Sequence, residues 1–316
     1  MKLLFFGSPE MSVPSLRALQ GGGHRVATVV TRPDRPGGRG RHPTPTAVKE
    51  AALEMGLEVL QPDTANGPEA IRALRGVGAE LGVVVAYGEI LSPELLSVTD
   101  RGFINVHASL LPEYRGAAPI NWAVIRGEEV TGVTVIRMVP ELDAGPILAA
   151  REVPIEPGET AGELHDRLAE IGAEVVLDVV DRLDAGEKLP ARAQPREAGF
   201  FARKLTKRDG RLDWSLSAEE LHNRVRGLTP WPGAYTRLEA GTESIRITVL
   251  RAEVAERSAE GRAPGTVLSA DEEAGIVVQT GRGALRLLEL KPAGGRAMSA
   301  ADFVHGYPVE PGKQLH

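Results

Sequence analysis

A chain of 316 residues, 42% hydrophobic and 25% charged, is long enough for two domains that each bury a core. It contains no cysteine, which excludes disulfides, Cys-ligated zinc and a thiol nucleophile. A net charge of −6 excludes a nucleic-acid binder that works by overall basic charge, but not one that works through local patches.

Residues 3–6 read as a buried strand, and Gly7-Ser8-Pro9 stops this apolar run too early for a signal peptide. No later run approaches the ~20 apolar residues of a membrane helix, so a soluble, cytoplasmic protein is expected. Residues 13–20 read as a helix, 25–31 as a strand, 47–55 as a helix, 57–61 as a short strand and 69–74 as a helix. Residues 81–86 form the most apolar strand, and 102–107 the next. Strands alternating with helices predict an α/β fold built on a doubly wound, mostly parallel sheet. Near-continuous apolar strands place that sheet between two helical layers. Gly7-Ser8-Pro9-Glu10 stands where a dinucleotide fold carries Gly-x-Gly-x-x-Gly, and no Walker-type glycine loop occurs, so nucleotide cofactors are not indicated.

Residues 160–183 form an amphipathic helix with Thr160 as N-cap and Glu163 completing a capping box. Residues 186–207 have little periodicity and carry Pro190 and Pro195, which marks a linker. A helix is expected over 212–228. Beyond it Ile245, Ile247 and Val249 alternate with polar residues, and 265–268, 275–279 and 284–290 are short strands split by turns, the pattern of a small OB-like β-barrel. The expected division is a first domain over 1–188, a linker over 189–207 and a barrel domain over 208–316.

Two features carry chemistry. Open α/β sheets bind ligands beyond the carboxyl ends of their strands, here after Ala86 and around His107. Asn105 and His107 are two apart, so on one strand they share a face. Asp143 follows in the turn Leu142-Asp143-Ala144-Gly145. Taken singly, the three read as a satisfied amide, a structural histidine and a turn residue. Together they can polarise a carbonyl, hold developing negative charge and move a proton, which points to group transfer at a carbonyl carbon. Ser109 lacks the Gly-x-Ser-x-Gly surround of a nucleophile, so its hydroxyl is expected to cap a turn or touch a ligand. The second feature is charge. Arg32, Arg35, Arg39 and Arg41 are opposed only by Asp34, and Arg203, Lys204, Lys207, Arg208 and Arg211 only by Asp209. Solvated loops are the plain reading of both stretches.

The ordered set Asn105-x-His107, Ser109 to Pro112, Arg115 to Pro119 and Leu142 to Gly145 resembles the 10-formyltetrahydrofolate-dependent formyltransferases. By that resemblance the first domain is a Rossmann-like formyltransferase domain and Asn105, His107 and Asp143 are its catalytic trio. Ser109, Leu110, Leu111 and Pro112 then form the folate-contacting turn. Tyr87, Gly88, Ile90 and Leu91 belong to a loop whose backbone lines the pterin pocket. The stretch from Thr31 to Arg41 resembles the basic insertion of the tRNA-formylating branch, with Arg39 at its key arginine. Trp214-Ser215, Thr229 to Gly233, Lys291 to Gly294 and Met298 to Ala300 are similar to that branch as well.

The resemblance implies transfer of the formyl group of 10-formyltetrahydrofolate, with no metal, to the α-amino group of methionyl initiator tRNA. It implies tRNA contacts from Arg32, Arg35, Arg39, Arg41 and Lys49, and from Arg203, Lys204 and Lys207 along the linker. A single copy meets these demands, so a monomer is expected. A sugar-nucleotide formyltransferase would share the trio but lack the arginine-rich insertion, and a non-catalytic RNA-binding relative would not need the trio. Two residues depart from the family pattern: Met11 stands where an aromatic residue is commoner, and Ser8 where threonine is.

Overall fold

The computed structural model describes the chain except residues 38–41, 196–198, 241–242, 257–258, 260, 272–274 and 308. The chain forms two compact units. Met1–Pro119, Val130–Pro154 and His165–Ala202 make the first, and Ile120–Glu129, Ile155–Leu164 and Arg203–His316 the second.

In chain order the elements through Ala202 are β1 (Lys2–Gly7), α1 (Val13–Gly21), β2 (Arg25–Val30), β3 (Arg35–Gly37), β4 (His42–Thr44), α2 (Ala47–Glu54), β5 (Val59–Leu60), α3 (Pro68–Val77), β6 (Leu81–Val85), α4 (Pro93–Leu96), β7 (Phe103–His107), β8 (Arg115–Gly116), α5 (Pro119–Ile125), β9 (Val130–Arg137), β10 (Ile147–Pro154), α6 (Ala161–Asp184) and β11 (Phe201–Ala202). Their main sheet has seven strands in the order β10-β9-β7-β6-β1-β2-β5. From β5 to β7 all neighbours are parallel, and β9 and β10 add antiparallel to one edge. The sheet is therefore mostly parallel.

Alternation within the buried strands divides the first unit's core into two layers. Leu3, Phe5, Val83, Val85 and Ile104 meet Leu16 and Leu19 of α1, Val48 and Ala52 of α2, and Val176 and Val179 of α6. Leu4, Phe6, Val84 and Phe103 meet Ile71 and Leu74 of α3 and Leu95 of α4. Gly82 makes room for the Phe103 ring, because a Cβ there would lie 2.1 Å from it. Helix starts follow local chemistry. The Thr46 hydroxyl accepts from the Lys49 amide at α2, Pro68 opens α3, and the Thr160–Glu163 capping box opens α6.

β9 and β10 were not expected from the sequence. β10 carries exposed polar residues on an edge, so it lacks the apolar run that marks the inner strands. Two described parts of the expected linker belong to the first unit's pairing. Arg192 bridges Ile147, and β11 pairs in parallel with β8.

The second unit holds α7 (Ala218–Leu228), β12 (Ala234–Ala240), β13 (Glu243–Val254), β14 (Val267–Asp271), β15 (Gly275–Gln279), β16 (Ala284–Pro292), β17 (Met298–Ser299) and α8 (Ala300–Gly306). The helix expected over 212–228 starts later, at Ala218. Ser217 and Glu220 form its capping box, while Leu212 donates its amide to the carbonyl of Tyr235 on β12. The strands form an antiparallel sheet in the order β12-β13-β16-β15-β14, with β17 on β16. Residues Gln314 to His316 run between the two edge strands. Leu315 bridges Leu238 of β12, and Gln314 bridges Thr266 just before β14. The Arg237 and His316 amides and carbonyls exchange bonds of 2.9 and 3.0 Å. This curls the sheet into the OB-like form.

Candidate active site

β7 lies inside the sheet, flanked by β6 and β9. Asn105 sits opposite Val84 and Ile136, and His107 opposite Thr134, so both side chains leave on the face that carries Phe103. Asn105 is half-buried, and its amide has no hydrogen-bond partner among the described residues. His107 is buried, with Nε2 3.0 Å from the carbonyl oxygen of Tyr114. A carbonyl only accepts, so Nε2 carries the hydrogen and Nδ1 is turned to Asp143, whose Oδ1 is 3.6 Å away. A bond across that gap needs a second ring proton. At 3.6 Å the two are in contact but not hydrogen-bonded, and they form an ion pair only when the ring is protonated.

Asp143 is held on several sides. Its Oδ2 accepts from the Gly116 amide at 3.0 Å. The Gln194 amide group donates to the carbonyls of Asp143 and Gly145 at 2.9 and 2.7 Å. Gly145 is obligatory, because a Cβ there would lie 1.7 Å from the carbonyl oxygen of Arg137. Among the described residues three non-glycines have positive φ: Ala86 (48°), Tyr114 (60°) and Asp143 (49°). All three lie on the loops that follow β6 or support His107. Such conformations cost roughly 1–3 kcal/mol each and persist where surrounding structure enforces them, commonly at functional sites.

The turn after β7 is fixed by Thr134, which sequence reasoning missed. Its hydroxyl donates to the Ser109 carbonyl at 2.6 Å and accepts from the Leu111 amide at 3.1 Å. The Ser109 hydroxyl is buried and donates to the Glu113 carbonyl at 2.7 Å, a turn-capping role. Leu111 packs with Ile136 and Ile147, and Leu110 and Pro112 are half-buried beside it. In the loop after β6, Tyr87 and Leu91 are buried in the core. Burial, then the nearby Glu89 carboxylate, pushes the Tyr87 hydroxyl up to about 12. Gly88 and Ile90 face outward. Backbone at Gly88 and the Ile90 side chain are thus what this loop offers a ligand.

The basic residues fall into different situations. Arg32 pairs with Glu89 at 2.8 Å, and Lys49 with Asp34 at 2.6 Å. The Asp34 carboxyl is lowered first by the Gln61 hydrogen bond and then by Lys49. Ser8 accepts the Arg32 amide at 3.1 Å, and Met11 is half-buried in the turn that follows β1. Arg35 is exposed, and Arg39 and Arg41 lie outside the described residues. A cavity of about 330 Å³ is lined by Arg32, Pro33, Arg35, Thr44, Thr46, Tyr87 and Gly88. It joins the basic stretch to the loop after β6. In the second unit Arg203 pairs with Asp209 and lies over the Trp122 ring, 5.0 Å from its centroid. That contact holds the Asp209 carboxyl below the usual carboxylate range. Lys204 and Lys207 are exposed. Among the described residues no cluster of three or more His, Asp or Glu side chains could hold a metal ion, and no helix is long and apolar enough to cross a membrane.

Gln194 was also missed, because the stretch around it has the composition of a linker. Nothing local in sequence ties it to a turn 50 residues earlier.

Known proteins share both halves of this chain. Residues 1–180 match the formyl transferase family, and residues 204–308 match the formyl transferase C-terminal domain. The methionyl-tRNA formyltransferase of Methylobacterium sp. (strain 4-46) is 48% identical over 316 residues, covering 100% of this chain and 99% of that protein. That of Heliobacterium modesticaldum is 44% identical over 317 residues, with 99% of each covered. Among solved structures, an N-formyltransferase from Helicobacter canadensis, in complex with folinic acid and dTDP-3-aminofucose, has a TM-score of 0.65 at 15% identity. It covers 91% of this chain and 98% of that one. HypX from Aquifex aeolicus, in complex with tetrahydrofolic acid, has a TM-score of 0.63 at 17% identity. The match takes in 96% of this chain but about half, 47%, of that longer protein. These two show the fold. Matched in both halves, and 48% identical to a relative over its whole length, this chain belongs to the formyl transferase family.

Proposed function

We propose that this chain transfers the formyl group of 10-formyltetrahydrofolate to the α-amino group of methionyl initiator tRNA, the step that prepares it for translation initiation. The observation that carries the reading is the free Asn105 amide on the same face as the His107–Asp143 pair. Full-length relatives at 48% and 44% identity bear the name methionyl-tRNA formyltransferase.

The donor, when bound, supplies an activated formyl carbon attached to a nitrogen leaving group. The turn from Ser109 to Pro112, the Gly88 backbone and Ile90 fit it as a wall of backbone groups and apolar surface. Ser109 and Leu111 act there through the turn they shape, as Tyr87 and Leu91 do through theirs.

Asn105 donates from Nδ2 to the formyl oxygen, where negative charge grows as the amine adds. A preorganised donor of this kind is worth about 3 kcal/mol in the transition state. The α-amino group of the acceptor has a pKa of about 7.7–8.0, so roughly a tenth to a sixth of it is already free base at pH 7 and only modest help is needed. The His107–Asp143 pair takes the proton that the amine loses and returns one to the leaving nitrogen. One C–N bond forms, one breaks, and protons balance.

Arg32 and Arg35, at the mouth of the cavity beside Tyr87 and Gly88, suit the acceptor end of the tRNA. Arg39 and Arg41 continue that stretch in sequence, and Lys49 follows it. Arg203, Lys204 and Lys207 suit phosphates further along the tRNA. All three members of the trio and their supports come from one copy, which suits a monomer working in the cytoplasm, where translation starts.

The test is direct. Purified protein is incubated with 10-formyltetrahydrofolate and either charged initiator tRNA or a dTDP-amino sugar. Formyl-methionyl-tRNA should form rapidly and the amino sugar should stay unmodified. The reverse pattern would assign the sugar-nucleotide reaction instead.

A further inference from the structure

The Asp143 carboxylate faces His107 from a turn held in the left-handed region, at φ 49°. Aspartate adopts that region more readily than most residues, yet a brace still steadies the turn. Gln194 is that brace. Both hydrogens of its side-chain amide are committed, one to the Asp143 carbonyl and one to the Gly145 carbonyl. Its Oε1 in turn accepts from Arg115 Nε and Nη2 at 3.2 and 2.8 Å. Arg115 Nη2 also donates to the Pro195 carbonyl at 3.0 Å. Arg115 belongs to β8, whose Gly116 amide binds Asp143 Oδ2 and whose neighbour Tyr114 accepts from His107. The chain closes the loop a second time, because the Phe200 amide donates to the Glu113 carboxylate and β11 pairs with β8. One side chain thus links the two turns that set the orientation of His107 and of Asp143.

We propose that Gln194, clamped by Arg115, is a positioning residue of the transfer site: it fixes the Asp143–Gly145 turn and thereby the alignment of the Asp143 carboxylate with His107 Nδ1. The inference deepens the proposed formyl transfer and rests on it for its kinetic readout.

The informative variant is Gln194→Glu. It keeps the size of the side chain and its bonds from Arg115, but it cannot donate to the two carbonyls. A turn displaced by a fraction of an ångström to 1 Å should lower kcat about 10- to 100-fold. KM for the folate donor and for tRNA should stay within about threefold, and the thermal midpoint should stay close to that of the parent. Gln194→Ala should behave alike, and Arg115→Ala should cost much less in that background than in the parent, because the two act through one chain of bonds.

A second readout needs no turnover. Imidazole ¹⁵N NMR of the substrate-free protein, at one fixed pH, should show the His107 ring signals moved in Gln194→Ala, a change that adds no charge beside the ring. Asp143 Oδ1 lies 3.6 Å from His107 Nδ1, so a displaced turn changes what that nitrogen faces. Unmoved His107 signals in Gln194→Ala would overturn the proposal whatever the enzyme's substrate. A parent that fails to formylate tRNA, with the signals still moved in the variant, would instead sink the functional reading and leave the positioning role standing. A lowered thermal midpoint with unmoved His107 signals would reduce Gln194 to a folding contact.

Discussion

Three side chains of different chemistry meet at the end of one strand, and each is set up differently. His107 has both ring nitrogens assigned by its surroundings. Asp143 is bound by a backbone amide. Asn105 alone keeps its hydrogen-bonding capacity for something outside the protein. That difference predicts how single changes behave. Asn105→Ala should lower kcat by about 10²–10³-fold, the value of one lost donor to a developing oxyanion. The same change should hardly move the thermal midpoint, because no protein partner is left behind. Stopped-flow or quench assays, run with thermal melts of the same samples, would check it. A variant that melts far below the parent would mean the amide has a structural role instead.

Secondary-structure elements show where charge supports shape. At the N-terminus of α6 the Glu163 carboxylate accepts from the Thr160 amide and hydroxyl, at 2.8 and 2.7 Å, and also from Arg251. The Thr160 bonds chiefly, with Arg251 adding, lower its pKa from 4.5 to about 2. A depressed carboxylate stabilises the fold fully above its unfolded pKa and loses that contribution as pH falls through the folded one. The relevant window is therefore from about 4.5 down to about 2. Glu163 is about half exposed, so solvent screening makes the effect smaller than the shift alone would give. Glu163→Gln should be less stable than the parent at pH 7, and the gap should narrow as pH drops toward 3. Trp122, Trp214 and Trp231 all lie in the second unit with Glu163, so tryptophan fluorescence in urea reports the right transition. A gap that stays constant with pH would show that the cap works by shape rather than by charge.

How much of this was readable in advance depended on whether the signal was local. Strands β1, β2, β6 and β7 announce themselves as apolar runs because both faces are buried. Asn105 and His107 share a face for the elementary reason that strands repeat every two residues. The capping box at Thr160 is a four-residue pattern and was equally plain. β10 was silent because an edge strand with Arg151 and Glu152 exposed has no such run. Thr134 looks like any polar residue in a strand until its partners, Ser109 and Leu111, are known. The helix at Ala218 is shorter than its apolar pattern suggests because Leu212 and Trp214 keep that rhythm while packing against β12 rather than turning as a helix.

At the scale of the whole molecule, closure matters more than any one contact. The second unit's sheet would have two free edges if residues 314–316 did not run between them. Leu315 is buried there, worth roughly 1.5–3 kcal/mol, and each backbone bond adds about 1 kcal/mol. Deleting residues 313–316 should lower the thermal midpoint of that unit by several degrees or more. It should also promote association through the exposed strand edges. Light scattering and tryptophan-detected melts would register both, and an unchanged midpoint would mean the sheet closes without this segment.

The brace formed by Gln194 and β11 also bears on how the halves of such a chain can be separated or exchanged. A cut at residue 188, where hydrophobic rhythm stops, would strip away Gln194 and the strand that backs β8. A severed front half would therefore have to extend through Ala202 to keep its reactive geometry. Any recombination that grafts a new tail onto this scaffold must carry those fourteen residues, 189–202, with the front piece.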